Sequence, residues 1–255
     1  MKITFVRFIS SAILLVMLSS VYGQEATPDS RSENTENIRG LVKPRQRAVL
    51  SSEISGRITE IKYKSGQPFK KGDMLIKYDC SLYNADLASA KAKYEAEKKK
   101  FENNKKLLAL NATSDIEVEL SKATMDIAGA EMSIKEIITR HCIIIAPYNG
   151  RVIDVATNQH ESVSTGQELI SILDDQYLEI DLIVPSSWLT TLDEGLEFMF
   201  LVDETQKKYP AKIIQIGAIV DPVSQTVRLT GEFAGDVNDV LSGMSGTAIF
   251  DFVNN

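Results

Sequence analysis

The side chains with the widest chemical reach in this sequence are two cysteines, Cys80 and Cys142, and two histidines, His141 and His160. Two thiols can form a disulfide, bind a soft metal ion, or stay reduced and buried. A metal site built from Cys80, Cys142 and a histidine would need a recognised ligand spacing, and this spacing matches no established zinc pattern. His141 reads more plainly as an extension of a helix seam or as the end of that helix, where an imidazole is favoured by the C-terminal dipole. Hydrolytic machinery is short of parts. The sequence contains no G-x-S-x-G, no His-x-x-x-His and no convergent acid pair, and two histidines leave most such mechanisms without a base. These residues therefore predict a protein that is not an enzyme and carries no cofactor and no resident metal.

The elements that place the cysteines are helical. From Leu82 to Arg140 there is no proline and one glycine, Gly129. The second half of this stretch shows a seam with steps of three or four residues, Ile116, Leu120, Ala123, Ile127, Ala130, Ile134 and Ile137, as a left-handed coiled coil requires. The first half shows a weaker seam, Tyr83, Leu87, Ala90, Tyr94, Phe101 and Leu108, interrupted by Glu97 and Asn104. Ser114 is a natural N-cap and Glu117 completes a capping box. The turn therefore falls near Leu110–Thr113, and two antiparallel helices form a rod about 45 Å long at 1.5 Å per residue. Cys80 lies just before the first helix and Cys142 just after the second, so both sit at the base of the rod. A disulfide there would staple the hairpin to whatever holds it. Bonded cysteines have Cα atoms ~4.4–6.8 Å apart, whereas packed helix axes lie ~8–10 Å apart, which favours two free, buried thiols over the bond. Val118, Met125 and Met132 repeat every seven residues off the main seam. They are expected to form a second stripe that touches a neighbouring hairpin.

The chain also contains an internal repeat. Ser55–Asp79, SGRITEIKYKSGQPFKKGDMLIKYD, aligns without a gap to Asn149–Leu173, NGRVIDVATNQHESVSTGQELISIL. Gly56 matches Gly150, Arg57 matches Arg151, Gly72 matches Gly166, Leu75 matches Leu169 and Ile76 matches Ile170. Each copy reads as short strands separated by glycine turns. One such unit cannot bury its apolar face alone, and two facing copies can, as a small β-sandwich. After Asp174 the pattern is β again. Strands are expected at Tyr177–Val184, Leu196–Val202, Lys208–Ile216, Gln225–Phe233 and Thr247–Phe252, with a strand near Ile38–Leu50 joining them in a compact antiparallel barrel. Trp188, the one tryptophan, falls in a short helical turn after Pro185 and is expected to plug the barrel end.

The N-terminus carries an address. Lys2 and Arg7 precede an apolar core from Phe8 to Leu18, and Val21 and Gly23 occupy the −3 and −1 places of a small-residue cleavage site. Cleavage before Gln24 is expected. An uncleaved anchor is the alternative, although a bilayer span needs ~20 apolar residues. Gln24–Asn37 is polar and aperiodic, a flexible tether. The net charge of −7 and the acidic flanks of Lys98-Lys99-Lys100 argue against nucleic acid as a partner.

A split sandwich with a helical hairpin inserted between its halves and a barrel after it resembles the membrane fusion proteins, the HlyD-like periplasmic adaptors that serve resistance-nodulation-division and related pumps. The resemblance lies in "SGRI" and "FKKGDML" within Ala48–Asp79, in "IIIAPYNGRV" and "VSTGQELISILD" within Ile144–Asp174, and in "IGAIVDPVSQTVRLT" and "LSGMSGTAIF" toward the C-terminus. It implies an α+β fold: a split lipoyl-like β-sandwich (48–80 and 142–173), an antiparallel α-helical coiled-coil hairpin (81–141) and a small antiparallel β-barrel (38–47 and 174–255), after a signal peptide (1–23) and tether (24–37). It further implies an exported, periplasmic, inner-membrane-associated adaptor that links an inner-membrane transporter to an outer-membrane channel. Its copies would form a ring, a hexamer or a trimer of dimers.

In many such adaptors the hairpin tip carries an Arg, a Leu and a Ser. Leu107 and Ser114 fall at two of those places, Asn103 replaces the Arg, and Lys105 and Lys106 lie nearby. Leu107, Asn111 and Ser114 are thus the candidate channel-docking residues. Many relatives continue into a membrane-proximal domain. The chain runs only a short way past its last barrel strand, so transporter contact is expected to fall to the barrel and sandwich. Biotin- and lipoyl-carrier domains share the sandwich, but their modified Lys sits at the turn that the helical hairpin replaces here. An exported structural scaffold or binding protein is the alternative function.

Overall fold

The computed structural model describes residues 38–251; the expected signal peptide and tether lie outside the described residues. In chain order the strands are β1 (Ile38–Pro44), β2 (Arg47–Ser51), β3 (Gly56–Ile61), β4 (Pro68–Phe69) and β5 (Met74–Tyr78). Helices α1 (Ser81–Ala109) and α2 (Asp115–Arg140) follow. β6 (Ile143–Ile145) comes next, and the second copy of the repeat supplies β7 (Gly150–Val155), β8 (Ser162–Val163) and β9 (Glu168–Leu173). The chain continues through β10 (Leu178–Pro185), β11 (Glu197–Val202), β12 (Lys207–Asp221), β13 (Thr226–Phe233) and β14 (Ser245–Ile249).

The two copies close on each other by exchanging strands. One sheet runs β2-β9-β7-β4 and the other β6-β5-β3-β8, so each mixes both copies, and the second order is the first with the copies swapped. Gly56 pairs with Val163, and Phe69 pairs with Gly150. Leu75, Ile76, Leu169 and Ile170, the aligned pairs of the repeat, have no exposed surface. Burying each stabilises the sandwich by about 1.5–3 kcal/mol relative to leaving it exposed. Gly72 and Gly166 turn their chains at φ +85° and +87°, in the left-handed region where an added Cβ is strained.

The barrel is closed and antiparallel, in the order β1-β10-β13-β12-β11-β14. Phe200, Ile180, Leu182 and Leu229 fill it. Ser186–Thr190 is a 3₁₀ turn, and Trp188 packs edge-on to Phe250 with ring centroids 5.5 Å apart. β1 runs into β2 through Arg45 and Gln46, and β9 runs into β10 through residues 174–177. The barrel thus joins the end of the sandwich where Arg47 pairs with Leu173. The helices leave from the other end, where Tyr78 pairs with Ile58.

The hairpin departs from expectation in which face of α2 is inside. On α1 the expected seam, with Glu97 and Asn104 in line, faces the partner helix: Tyr83, Leu87, Ala90, Tyr94, Phe101 and Leu108 are half-buried and Asn104 is buried. On α2 the buried residues are Ser121 and Ala128. Val118, Met125 and Met132 are half-buried in the same heptad frame. These three therefore line the contact with α1, and their assignment as an inter-protomer stripe is corrected. The isoleucine stripe expected inside lies outside: Ile116, Leu120, Ile127, Ile134 and Ile137 are 76%, 61%, 60%, 57% and 46% exposed. Side-chain size explains the exchange. The rings of α1 need small partners, and Tyr94 meets Gly129, where an added Cβ would come within 3.2 Å of the ring.

Candidate functional site

The hairpin projects from the sandwich and is held at its base. Four bonds clamp that base. Cys80 and Cys142 form a disulfide with Cα atoms 6.0 Å apart, which corrects the expectation of free thiols. The helix-axis argument fails because neither cysteine lies within a packed helix. Cys80 is the N-cap of α1, and Cys142 follows the C-cap of α2, where the chains have already converged on the sandwich. Arg57 of β3 pairs with Asp79 at 2.8 Å. His141 Nδ1 lies 2.8 Å from a Glu53 oxygen, so this histidine has a definite carboxylate partner. The Tyr83 hydroxyl donates to the Ser55 carbonyl at 2.8 Å. Asp79 also accepts from the Ser81 hydroxyl at 2.7 Å. That bond, and after it the Arg57 guanidinium, hold its carboxyl below the usual aspartate value.

At the other end the tip is built by capping. Asn111 adopts φ +53°. Its N–H donates to the Leu108 carbonyl at 2.8 Å, and the Ala112 N–H donates to the Leu107 carbonyl at 2.8 Å. This is the Schellman arrangement, with asparagine, after glycine the residue that best tolerates left-handed backbone, at its pivot. Ser114 accepts from the Glu117 N–H at 3.3 Å and starts α2. All three candidate tip residues thus help to close the turn, two by backbone and one by side chain. Leu107 is half-buried, whereas Leu110 is 75% exposed. Leu110 was missed by reading the sequence. Its signal was an apolar residue placed just after the seam's last step.

The barrel end remote from the sandwich forms a second candidate surface. Ile38 pairs with Ala248 there, so the described chain begins and ends at this pole. The β12–β13 hairpin turns at the same pole, since Thr226 pairs with both Asp221 and Pro185. Its turn exposes Ile219 (81%) and Val223 (93%). Between barrel and sandwich lies an open cleft of about 1170 Å³. Two ion pairs lie along it: Arg151 with Asp175 at 3.1 Å, and Arg45 with Glu179 at 3.9 Å. Tyr63 donates to Asp73 at 2.6 Å and, foremost among the causes, lowers that carboxyl's pKa. The arrangement suits a joint between two bodies. No group of three or more His, Cys, Asp or Glu side chains among the described residues could hold a metal ion. No helix among them is long and apolar enough to cross a membrane.

A family model described as "RND MFP, barrel-sandwich hybrid domain" matches residues 46–175. An uncharacterized protein of Haemophilus influenzae is 29% identical over 211 residues, covering 82% of this chain and 55% of its own length. The antibiotic efflux pump periplasmic linker protein ArpA of Pseudomonas putida is 26% identical over 189 residues, covering 68% of this chain and 51% of its own. The chain thus spans about half the length of these curated relatives. Among solved structures, a MacA–MexA chimera carrying the Pseudomonas aeruginosa MexA α-hairpin domain superposes with a TM-score of 0.73 at 22% identity, over 83% of this chain and 79% of that one.

Proposed function

We propose that this chain, which belongs to the RND membrane fusion protein family, is a periplasmic adaptor of an efflux or secretion pump. In this reading it links an inner-membrane transporter to an outer-membrane channel and performs no catalytic step. The observation that carries the proposal is mechanical: a two-helix rod is anchored by a disulfide and ion pairs to a sandwich woven from both copies of a repeat. Such a base transmits position from one end of the molecule to the other with little slack. The apolar barrel pole around Ile219 and Val223, where the described chain begins at Ile38, faces the inner membrane and its transporter. The hairpin tip around Leu107, Leu110, Asn111 and Ser114 meets the channel. Copies of the chain surround the conduit as a ring.

The test is recovery of the pump. The full chain, tagged and expressed in its own envelope, is cross-linked, solubilised in detergent and purified. A transporter and a channel should co-purify. Leu110→Glu should lose the channel and keep the transporter, because a charge at the exposed tip cannot enter an apolar contact without a desolvation penalty. Recovery of the parent chain with neither partner would refute the adaptor reading in favour of an exported scaffold.

A further inference from the structure

Inside the rod, the basal and outer halves are joined unequally. At the base, the disulfide and two ion pairs tie α1 to α2: Asp86 with Lys135 at 2.8 Å and Lys93 with Glu131 at 2.7 Å. Among the described residues, no ion pair or side-chain hydrogen bond joins the helices nearer the tip than Lys93–Glu131. The inner seam of α1 changes at the same level. Its basal steps are Tyr83, Leu87, Ala90 and Tyr94. Its outer steps are Glu97, Phe101, Asn104 and Leu108, so alternate positions become polar. Those polar groups are unanswered. Glu97 Oε2 and Asn104 Nδ2 are buried with no hydrogen-bond partner among the described residues, and Asn104 as a whole is 9% exposed. Ser121, the buried hydroxyl of α2, is already engaged: it donates to the Val118 carbonyl of its own helix at 2.9 Å.

We propose that the outer half of the rod is built to open, its helices parting as one unit beyond Tyr94 and Gly129 while the base stays closed. A polar residue in a helical seam commonly fixes register, and it does so by bonding to a partner across the seam. Glu97 and Asn104 have no such partner, so they weaken the closed form and regain water when it opens. A buried donor or acceptor left unmade shifts such an equilibrium by roughly five- to a hundredfold per group. The apolar residues left to hold the outer half shut are Phe101, Leu107 and Leu108 on α1 and Val118 and Met125 on α2. Once parted, each outer segment is a helix of about 15 residues, a length that is marginal alone in water. The base keeps its position through bonds that lie outside this stretch. The result is a lever with a fixed root and a tip of variable width. Opening is a property of the single chain, so it goes beyond the adaptor reading and stands or falls apart from it.

Native-state hydrogen exchange on the purified full chain, read residue by residue, tests this. Amides of residues 97–109 and 119–128 should share one opening equilibrium, as a cooperative unit does. They should be open at least tenfold more often than amides of residues 86–94 and 131–138. Simple fraying would give a gradient that falls steadily from the tip to the base. Glu97→Leu with Asn104→Leu supplies the apolar contacts of an ordinary seam. This double variant should slow exchange in the outer half at least twentyfold and leave the basal half unchanged, with helix content by circular dichroism equal to the parent's or higher. Asn104→Leu alone should act in the same direction by at least fivefold, which keeps the test sound if the double variant does not fold. A smooth gradient in the parent, equal protection along the whole rod, or leucine variants whose outer half exchanges as fast as the parent's would each overturn the proposal.

Discussion

Replacing Cys80 and Cys142 together by alanine tests how the rod is anchored. The bond closes a loop with a sequence separation of 62. In the unfolded chain such a cross-link removes closure entropy of about −14 cal/mol/K, or about 4 kcal/mol at 25 °C. The competing anchors, Arg57–Asp79 and His141–Glu53, lie at the surface and are each worth roughly 0–1 kcal/mol. They cannot take over the role of the bond. A protein of this size loses roughly 2–4 °C of Tm per kcal/mol, so the double variant should melt about 8–16 °C below the oxidised parent. Calorimetry on the full chain, with and without reductant, reads this directly, and the reduced parent should coincide with the variant. Alkylation followed by mass measurement checks the premise. The parent should take up no label until reductant is added. Two labelled thiols without reductant, or a loss of stability under about 1 kcal/mol, would refute the reasoning. The second result would mean that the hairpin closes equally well without the bond.

Other consequences follow from single sites. A Cβ at Gly150 would lie 2.0 Å from the Leu173 carbonyl oxygen, whereas at Gly56, its counterpart in the repeat, the nearest contact is 3.5 Å; Gly150→Ala should therefore lower stability by about 2–3 kcal/mol and Gly56→Ala by under about 1, measured by urea denaturation. Asn111→Gly should fold normally, whereas Asn111→Val should weaken the hairpin by about 1–2 kcal/mol, and a Gly variant that folds but loses the channel would show that the amide itself is read by a partner. Asp79 has a depressed carboxyl pKa in the folded state, so its contribution is complete above the unfolded aspartate value and disappears as pH falls through the folded one. Asp79→Asn should therefore be less stable than the parent at neutral pH and converge with it in acid, as followed by thermal melts from pH 7 to pH 2.

The sandwich was legible because its evidence is redundant. A repeat that aligns glycine with glycine and apolar pair with apolar pair leaves few ways to bury both copies except against each other. The helices were legible from the absence of breakers, and their junction from Ser114, since capping is local chemistry that needs no knowledge of the rest of the fold. Strand β12 was read too short, as ending near Ile216. The strand continues to Asp221 through irregular register, and Gly217 within it permits close approach: a Cβ there would sit 2.8 Å from the Arg228 carbonyl. The disulfide was misjudged as well. Helix-axis distance describes residues in the middle of packed helices, and Cys80 and Cys142 lie beyond their ends.

The misassigned face of α2 shows what periodicity cannot decide. Both stripes of α2 have heptad spacing, so spacing alone admits either one as the inner seam. Greater hydrophobicity favours the isoleucine stripe, and the fold rejects it. What decides is the volume of the partner. α1 presents Tyr83, Tyr94 and Phe101, and at a fixed helix separation large side chains must face small ones. Ser121, Ala128 and Gly129 supply that space. Seating Ile127 and Ile134 against Tyr94 would overfill the seam and push the helices apart, at a penalty typical of overpacking, roughly 1–3 kcal/mol per site.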